Sequence, residues 1–551
     1  MDTFWLKSYP SSVPNYIDYE GETLHTLFFN ACTQFSACPA YSFMDQTLTY
    51  GEFRLHAQHF ANFCIHELKL KKGERLAIML PNMLQYPIAV FGALLAGLVL
   101  VNLNPLDKSP SLQRELADSG AKALVVLDNF VTELLPIVST TSLQQVIIAR
   151  AGDLQSWPKG LAINLYLRYI KKAIPRAHFP GQTTFMSALA HGAQHSFFPV
   201  AVSPYDLAFI QYTGGTTGLP KGAMLTHKNM MCNVMQCCSW IREDLVEGKE
   251  TIITALPLYH IFSLMVNNFV FMKLGGKSVL IADPRDMTHF IKVLKTSSFT
   301  CINGVNTLFN ALLHQEDFCK LDFSRLKMTI AGGMAVQQKV ADQWQAVTGC
   351  VISQGYGLTE ASPVVCINPV KAKKFTGSVG LPVPSTEVAI CDSEGHELPP
   401  GTTGELCVHG PQVMQGYWQN DTETQKVLKL DGWLRTGDAA YMDKQGFVFI
   451  VDRLKDMIIV SGFKVFPNEV EDLIKTLPGV NEVAVIGIPN ELHGEVVKAI
   501  IVRELNHPIT KEDVIKFCHD RLVAYKVPHE VEFVDSLPKS NVGKILKKDL
   551  R

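Results

Sequence analysis

The chain has 551 residues, 47% of them apolar, and sets 50 Lys and Arg against 52 Asp and Glu for a formal net charge of -2. Against a typical domain of roughly 150 residues, that length predicts three or four domains or lobes. The near-neutral balance excludes a nucleic-acid binder built on bulk basicity, and equally a disordered acidic chain.

The first ten residues carry Asp2 and Lys7 and no apolar run, so a signal peptide is not expected. Further on, residues 76–106 hold no charge, and 88–101 are almost wholly apolar. That core of 14 residues falls short of the roughly 20 needed to span a bilayer. The pattern predicts a strand over 76–80, a buried helix over 86–97, and buried strands over 99–103 and 123–127. Apolar strands alternating with helices suit a largely parallel sheet. The stretch 156–200, rich in Pro, Gly, His and Lys, reads as irregular surface.

The same grammar repeats over 201–380, with apolar runs at 207–211, 252–256, 278–282, 300–303, 328–331 and 351–353. Ligands bind beyond the C-terminal ends of such strands. Between 381 and 453 short runs at 388–391, 405–409 and 447–450 alternate with Gly- and Pro-rich turns, an antiparallel or barrel-like pattern. The remaining residues read as helix 468–476, strands 481–488 and 496–502, helix 511–521 and strand 530–533. The expected fold is therefore α/β. A large N-terminal domain holds two α/β lobes (1–200 and 201–380) and a small β-barrel-like subdomain (381–453). A small α+β C-terminal domain (454–551) follows. The 13 cysteines are scattered with no CxxC, which argues against a disulfide framework and a cysteine-based zinc site and for a reducing compartment.

One segment stands out: Tyr212-Thr213-Gly214-Gly215-Thr216-Thr217-Gly218-Leu219-Pro220-Lys221-Gly222, directly after the 207–211 run. Its glycines let the backbone turn tightly and point N–H groups inward. Thr213, Thr216 and Thr217 add hydroxyl donors and Lys221 a positive charge, a set suited to a phosphate chain. The spacing is not that of a Walker A loop, and the adjacent Gly214 and Gly215 do not fit a dinucleotide fingerprint. A flexible surface loop is the bland alternative.

Gly332-Gly333 and Gln354-Gly355-Tyr356-Gly357-Leu358-Thr359-Glu360 follow two further buried strands. Glu360 has the chemistry to hold Mg²⁺ beside phosphate oxygens, and Tyr356 to stack on a flat base. Taken singly, each is equally well a turn. Asp438, at the end of Asp431-Gly432-Trp433-Leu434-Arg435-Thr436-Gly437-Asp438, could accept both ribose hydroxyls. Asp452-Arg453-Leu454-Lys455-Asp456 is either a solvated hairpin or a hinge. The basic tail Pro538-Lys539-Ser540-Asn541-Val542-Gly543-Lys544 is either a frayed end or the carrier of one ammonium aimed into a cleft.

Taken together and in this order, these segments resemble the adenylate-forming (ANL) superfamily, and within it the bacterial long-chain fatty-acid–CoA ligases. Ala223-Met224-Leu225-Thr226-His227, Pro257-Leu258-Tyr259-His260-Ile261-Phe262, Ser461-Gly462-Phe463-Lys464 and Asn104-Pro105-Leu106 extend the likeness, which runs from about residue 20 to Arg551. The resemblance implies ATP-dependent activation of a medium- or long-chain fatty acid through an acyl-AMP, then transfer to coenzyme A with release of AMP and pyrophosphate. It implies that Thr213, Gly214, Gly215, Thr216, Thr217, Gly218 and Lys221 hold the β- and γ-phosphates, with Mg²⁺ near Thr213 and Glu360. Tyr356, within Gly355–Thr359 (Gly355, Tyr356, Gly357, Thr359), would lie against adenine, Asp438 would bind the ribose, and Arg453 would contact the adenylate. Lys455 would be the hinge of a mobile C-terminal domain and Lys544 the catalytic lysine of the first half-reaction. Gly462, in the 461–464 loop, would line the pantetheine tunnel, and His260 would guide the acyl group.

The resemblance also sets expectations for partners and place. These are fatty acid, ATP and coenzyme A as substrates, no nucleic acid, peripheral contact with the inner face of the membrane, a homodimer, and a cytoplasmic location. A 4-coumarate-type aryl ligase is the nearest rival and would show a short closed pocket. An amino-acid-activating domain would carry an aspartate where this chain has His260.

Overall fold

Strands that are apolar on both sides must be covered on both faces, and the N-terminal part of this chain meets that demand twice. The computed structural model describes residues 3–175, 179, 181–213, 220–504, 507–539 and 545–551. They fall into two compact units. One comprises Tyr9–Glu387 with His409–Gly432, the other Met1–Ser8 with Val388–Val408 and Trp433–Arg551.

The first unit contains a seven-stranded sheet in the order Thr183–Thr184, Gln145–Ala149, Ala123–Leu127, Arg75–Met79, Val99–Asn102, Leu207–Thr213 and Lys221–Thr226. Every pair is parallel except the last, an antiparallel hairpin. A nine-stranded sheet lies in the same unit. Its parallel centre runs from Ile352–Gly357 through Met328–Ala331, Cys301–Gly304, Thr251–Thr254 and Lys277–Leu280 to Pro39–Phe43. The uncharged 76–106 stretch is core for most of its length: every residue of the helix Gln85–Leu95 and of the strand Val99–Asn102 is buried, and only its end at Leu106 is exposed. Among the described residues no helix is long and apolar enough to cross a membrane.

The 156–200 stretch, which reads as irregular surface, is instead partly helical. A helix over Lys159–Leu165 widens into a π-helical turn at Tyr166–Ile170, and a second helix spans Phe185–Gly192. The period is hidden because Leu161, Leu165, Tyr166, Tyr169 and Ile170 all face solvent, so no polar–apolar contrast marks the helix.

Buried amides join the two sheets. Asn82 donates to the carbonyls of Thr254 and Leu256 (both 2.9 Å) and accepts from the Leu258 N–H (2.8 Å). Tyr86 donates to Asn102 and to the Leu258 carbonyl (both 2.8 Å). Asn102 donates to Gln211 (3.0 Å), which donates to the Tyr259 carbonyl (2.9 Å).

The second unit holds a four-stranded sheet ordered Glu387–Cys391, Gly404–His409, Leu434–Met442 and Val448–Arg453, the last two pairings antiparallel. A five-stranded sheet follows, built on the long antiparallel pair Val480–Asn490 and Gly494–Arg503, with Glu530–Phe533 added in parallel. Helix Pro467–Ile474 covers it through Val470 and Ile474, which share a core with Val483, Val485 and Val497.

Asn82→Ala should remove three core hydrogen bonds and strand the Leu258 N–H, at about 1–3 kcal/mol for that group. The carbonyls of Thr254 and Leu256 keep the Ile281 N–H and the Ser263 hydroxyl as donors. We expect a stability loss of about 3 kcal/mol or more, read as a lower urea midpoint for the first unit. An unchanged midpoint at unchanged slope would show that the 254–258 turn holds without Asn82.

Candidate functional site

The glycine- and threonine-rich segment begins where the Leu207–Thr213 strand ends. Thr213 and Lys221 stand opposite each other across the hairpin, and Thr213 Oγ1 lies 3.4 Å from the Lys221 carbonyl oxygen. Gly214, Gly215, Thr216, Thr217 and Gly218 lie outside the described residues. The other strand of the hairpin is edged by the chain at 415–418: Met224 N–H donates to the Gly416 carbonyl (2.9 Å) and Trp418 N–H to the Gly222 carbonyl (2.7 Å). That edge is held from below. Asn229, in the cap of the next helix, donates to the carbonyls of Pro411 and Val413 (both 2.8 Å).

This pairing brings Tyr417 into the site. Its hydroxyl donates to Glu360 Oε1 (2.8 Å), and Lys221 Nζ sits 5.3 Å from its ring centroid. Lys221 is also ion-paired with Glu423, which takes a second ammonium from Lys426. The two lysines hold the Glu423 carboxyl down at about 2. Thr213, Lys221 and Glu360 are thus joined through Tyr417. Neither Tyr417 nor Glu423 was legible as a site residue. Lys221 and Glu423 are 202 positions apart, and only Gly416 before the aromatic pair hinted at a special backbone.

Glu360 lies in a single turn, Thr359–Ala361, after the strand Ile352–Gly357. Gly355, Tyr356 and Gly357 pair antiparallel with Ile367, Cys366 and Val364. At Gly357 the packing is close enough to demand glycine, since a Cβ there would sit 2.1 Å from the Pro363 carbonyl oxygen. Tyr356 is half-buried, and Thr359 closes the turn by accepting from the Ser362 N–H (3.2 Å).

His260 caps the short helix after the Asn82-bound turn, its Nδ1 accepting from the Phe262 N–H at 3.3 Å. That bond leaves Nε2 to carry the proton of a neutral ring. Burial holds the imidazole down at about 4.

In the second unit Asp438 is buried on the Leu434–Met442 strand, directly across from Arg453, whose Nε lies 3.0 Å from its Oδ1. The charged run that follows is not a solvated hairpin. Asp452 is buried, accepting from the N–H groups of Arg453 and Asn468 (both 2.7 Å). Burial raises its carboxyl, with Lys547 opposing that shift. Lys455 occupies the single turn Leu454–Asp456, where burial lowers its ammonium.

Ser461 and Gly462, at φ 48° and 85°, form a two-residue turn between Ile458–Val460 and Phe463–Val465. Ser461 Oγ is 2.8 Å from His493 Nδ1. Lys544 lies outside the described residues. On either side Lys539 pairs with Ile545 in an antiparallel bridge, and Lys547 Nζ lies 2.8 Å from the buried Glu471.

Among the described residues no group of three or more His, Cys, Asp or Glu side chains forms a metal cage. One carboxylate and one hydroxyl, Glu360 and Thr213, suit an ion whose remaining ligands are phosphate oxygens and water, as Mg²⁺ prefers.

A model of the AMP-binding enzyme family matches residues 28–418, and one of the AMP-binding enzyme C-terminal domain matches 469–544. The chain is 48% identical to a long-chain-fatty-acid–CoA ligase of Escherichia coli O6:H1, covering 100% of this chain and 98% of that one. It is 44% identical to a long-chain-fatty-acid–CoA ligase of Haemophilus influenzae, with the same two coverages. Among solved structures, ATP-bound MatB from Rhodopseudomonas palustris superposes with a TM-score of 0.83 at 27% identity, covering 95% of this chain and 98% of that one.

Because the His260 value of about 4 lies below the ordinary 6.5, the buried neutral ring contributes its full stability above pH 6.5. That contribution falls away as pH drops from 6.5 toward 4. An NMR titration assigned with His260→Ala should give a midpoint near 4. A midpoint at or above 6.5 would mean a ring that is solvated and charged in mild acid.

Proposed function

The chain belongs to the AMP-binding enzyme family, and from that membership we propose that it is an AMP-forming long-chain fatty-acid–CoA ligase. Its substrates are a long-chain fatty acid, ATP and coenzyme A. The observation that carries this reading is the end-to-end likeness to ligases of that activity. The joined set of Thr213, Lys221, Tyr417 and Glu360 beyond the ends of two sheets' strands supports it.

A carboxylate acylates poorly because its leaving group would be oxide. In the first half-reaction a carboxylate oxygen attacks the α-phosphorus of ATP, and the bond to pyrophosphate breaks. Negative charge builds on the α-phosphate oxygens and the departing pyrophosphate. Lys221 and Thr213, with Gly214, Gly215, Thr216, Thr217 and Gly218, meet the β- and γ-phosphates, and Lys544 meets the charge at the α-phosphate. Preorganised donors of this kind are the largest usual source of rate. Mg²⁺, when held by Glu360 and Thr213, supplies charge neutralisation across the phosphates. Tyr356, between Gly355 and Gly357 and next to Thr359, lies against adenine, and Asp438 and Arg453 take the ribose and adenylate phosphate. Their cross-strand pairing supports a shared ligand.

In the second half-reaction the coenzyme A thiol loses its proton and its sulfur attacks the acyl-AMP carbonyl. The bond to AMP breaks and the thioester forms. Gly462 and its turn line the path of the pantetheine arm. His260, neutral at physiological pH, offers an uncharged guide to the acyl chain. The C-terminal domain, 454–551, pivots at Lys455 between the half-reactions, so that Lys544 serves the first and the thiol path the second. The chain works in the cytoplasm, with peripheral contact at the inner membrane face, as a homodimer.

Pyrophosphate and AMP release should be measured with ATP and Mg²⁺ on saturated acids of graded length, 4-coumarate and amino acids, with and without coenzyme A. Coenzyme A-dependent turnover greatest on long-chain acids is expected. Turnover confined to coumarate would overturn the substrate class.

Half-reactions separate the two lysines. Lys544→Ala should cut acyl-AMP formation by about 10²–10³ while sparing thioester formation from supplied acyl-AMP. Lys455→Pro, which fixes φ at the pivot, should slow the thioester step more than the adenylate step. Equal losses in both steps for either variant would remove its assigned role.

A further inference from the structure

The described residues expose few large apolar side chains in clusters, and one cluster is concentrated on a single short element. Trp157 is 83% exposed, Tyr169 66% and Ile170 71%, and Leu161, Leu165 and Tyr166 are also open to solvent. All six lie on or just before the continuous helical stretch formed by Lys159–Leu165 and Tyr166–Ile170.

Their spacing is regular. Trp157, Leu161, Leu165 and Tyr169 recur every fourth position, and Tyr166 and Ile170 form a second stripe beside them. A helical face usually turns its apolar stripe to the core. This one turns it outward, although the helix is firmly seated. On its inner side Gly160 packs against Gly152 so closely that a Cβ on either would lie within 2.4 Å of the other's carbonyl oxygen. Asn164 Oδ1 accepts from the Gly152 N–H at 2.8 Å, and Lys159 is anchored to Asp45 at 3.2 Å. The exposed face is therefore held in place as built structure.

Charge points to the occupant. No Asp or Glu occurs anywhere from 154 to 205, in a chain that has 52 of them. Arg168, Lys171 and Lys172 flank the apolar stripes at the C-terminal end and are exposed, with the Arg168 guanidinium 6.0 Å from the Tyr169 ring centroid. Outward Trp, Tyr and Leu bordered by Arg and Lys are the composition of a helix that lies in the plane of a lipid surface. Its rings sit at headgroup level and its cations meet anionic lipid. A protein partner would not need an uninterrupted absence of acid.

We propose that the 157–172 segment, built on the 159–170 helix, docks this chain on an anionic phospholipid bilayer, the helix lying flat with Trp157, Leu161, Leu165 and Tyr169 inserted between headgroups. The assignment rests on the peripheral-membrane reading above and gives it a location. It also gives a reason for the contact, since long-chain acids partition into bilayers and a docked ligase draws on that pool.

The full chain is tested against vesicles of phosphatidylcholine alone and of phosphatidylcholine mixed equally with phosphatidylglycerol. The wild type should bind the mixed vesicles far better. Trp157 fluorescence should shift to shorter wavelength and be quenched by brominated acyl chains, a signal lost in Trp157→Phe. The double variant Leu161→Ser/Leu165→Ser should bind about tenfold more weakly per leucine, and Lys171→Glu/Lys172→Glu should lose the preference for anionic lipid. Both should turn over decanoate in solution at the wild-type rate. Wild-type binding that both double variants retain would overturn the helix assignment while leaving peripheral contact intact. Failure of the wild type to bind either vesicle would overturn both. Self-association that the leucine variant abolishes, without vesicle binding, would assign the face to a second copy of the chain instead. Loss of decanoate turnover in wild type would count against the ligase reading alone.

Discussion

Three buried amide side chains, Asn82, Asn102 and Gln211, carry the geometry on which the first unit depends. Its two sheets are covered by Val, Ile, Leu and Phe, and apolar packing alone has no direction. Two such surfaces can shift by a residue at modest cost. A buried amide cannot, because each donor or acceptor left unmade in the core costs about 1–3 kcal/mol. Asn82 fixes the 254–258 turn at three points, and the Tyr86–Asn102–Gln211 relay ties that turn to the strand that ends in Thr213. The strand that ends in Thr213 and the turn that leads to His260 therefore belong to one frame.

The second unit is organised by carboxylates rather than amides. Asp438 and Arg453 face each other across neighbouring strands, and one residue earlier Asp452 is turned inward to cap the Pro467–Ile474 helix region through Asn468. The Val448–Arg453 strand, the inward Asp452 and the single turn Leu454–Asp456 follow one another within a few residues. The turn is closed by the Met457 N–H on the Leu454 carbonyl and tied through Asp456 to Arg551, and the proposed pivot at Lys455 falls inside it.

Much of this was readable from the chain. Buried parallel strands announce themselves by continuous Val, Ile and Leu, and 123–127 and 328–331 fall where the pattern puts them. The uncharged 76–106 stretch resolved as helix and strand because its apolar core is too short to span a bilayer. The Thr213–Lys221 segment stood out because glycine, threonine and lysine after a strand have few other uses, and Thr213 and Lys221 do face each other across a hairpin. What escaped were pairings between distant segments. Tyr417 and Glu423 enter the site only because the 415–418 chain runs beside the hairpin, and no local pattern encodes that. The 159–170 helix escaped for the opposite reason: its solvent face is as apolar as its inner face, so periodicity carried no information.

Two cations of the 547–551 segment reach back into earlier parts of the second unit. Lys547 Nζ lies 2.8 Å from the buried Glu471, and Arg551 lies 3.1 Å from Asp456 in the Leu454–Asp456 turn. A buried carboxylate deprived of its cation is left uncompensated, which costs far more than the loss of an exposed pair. The Pro467–Ile474 helix, which carries Glu471, is thereby tied to residues far along the chain. Protease nicking just before Lys547 would loosen the second unit from within while leaving both large sheets of the first unit intact.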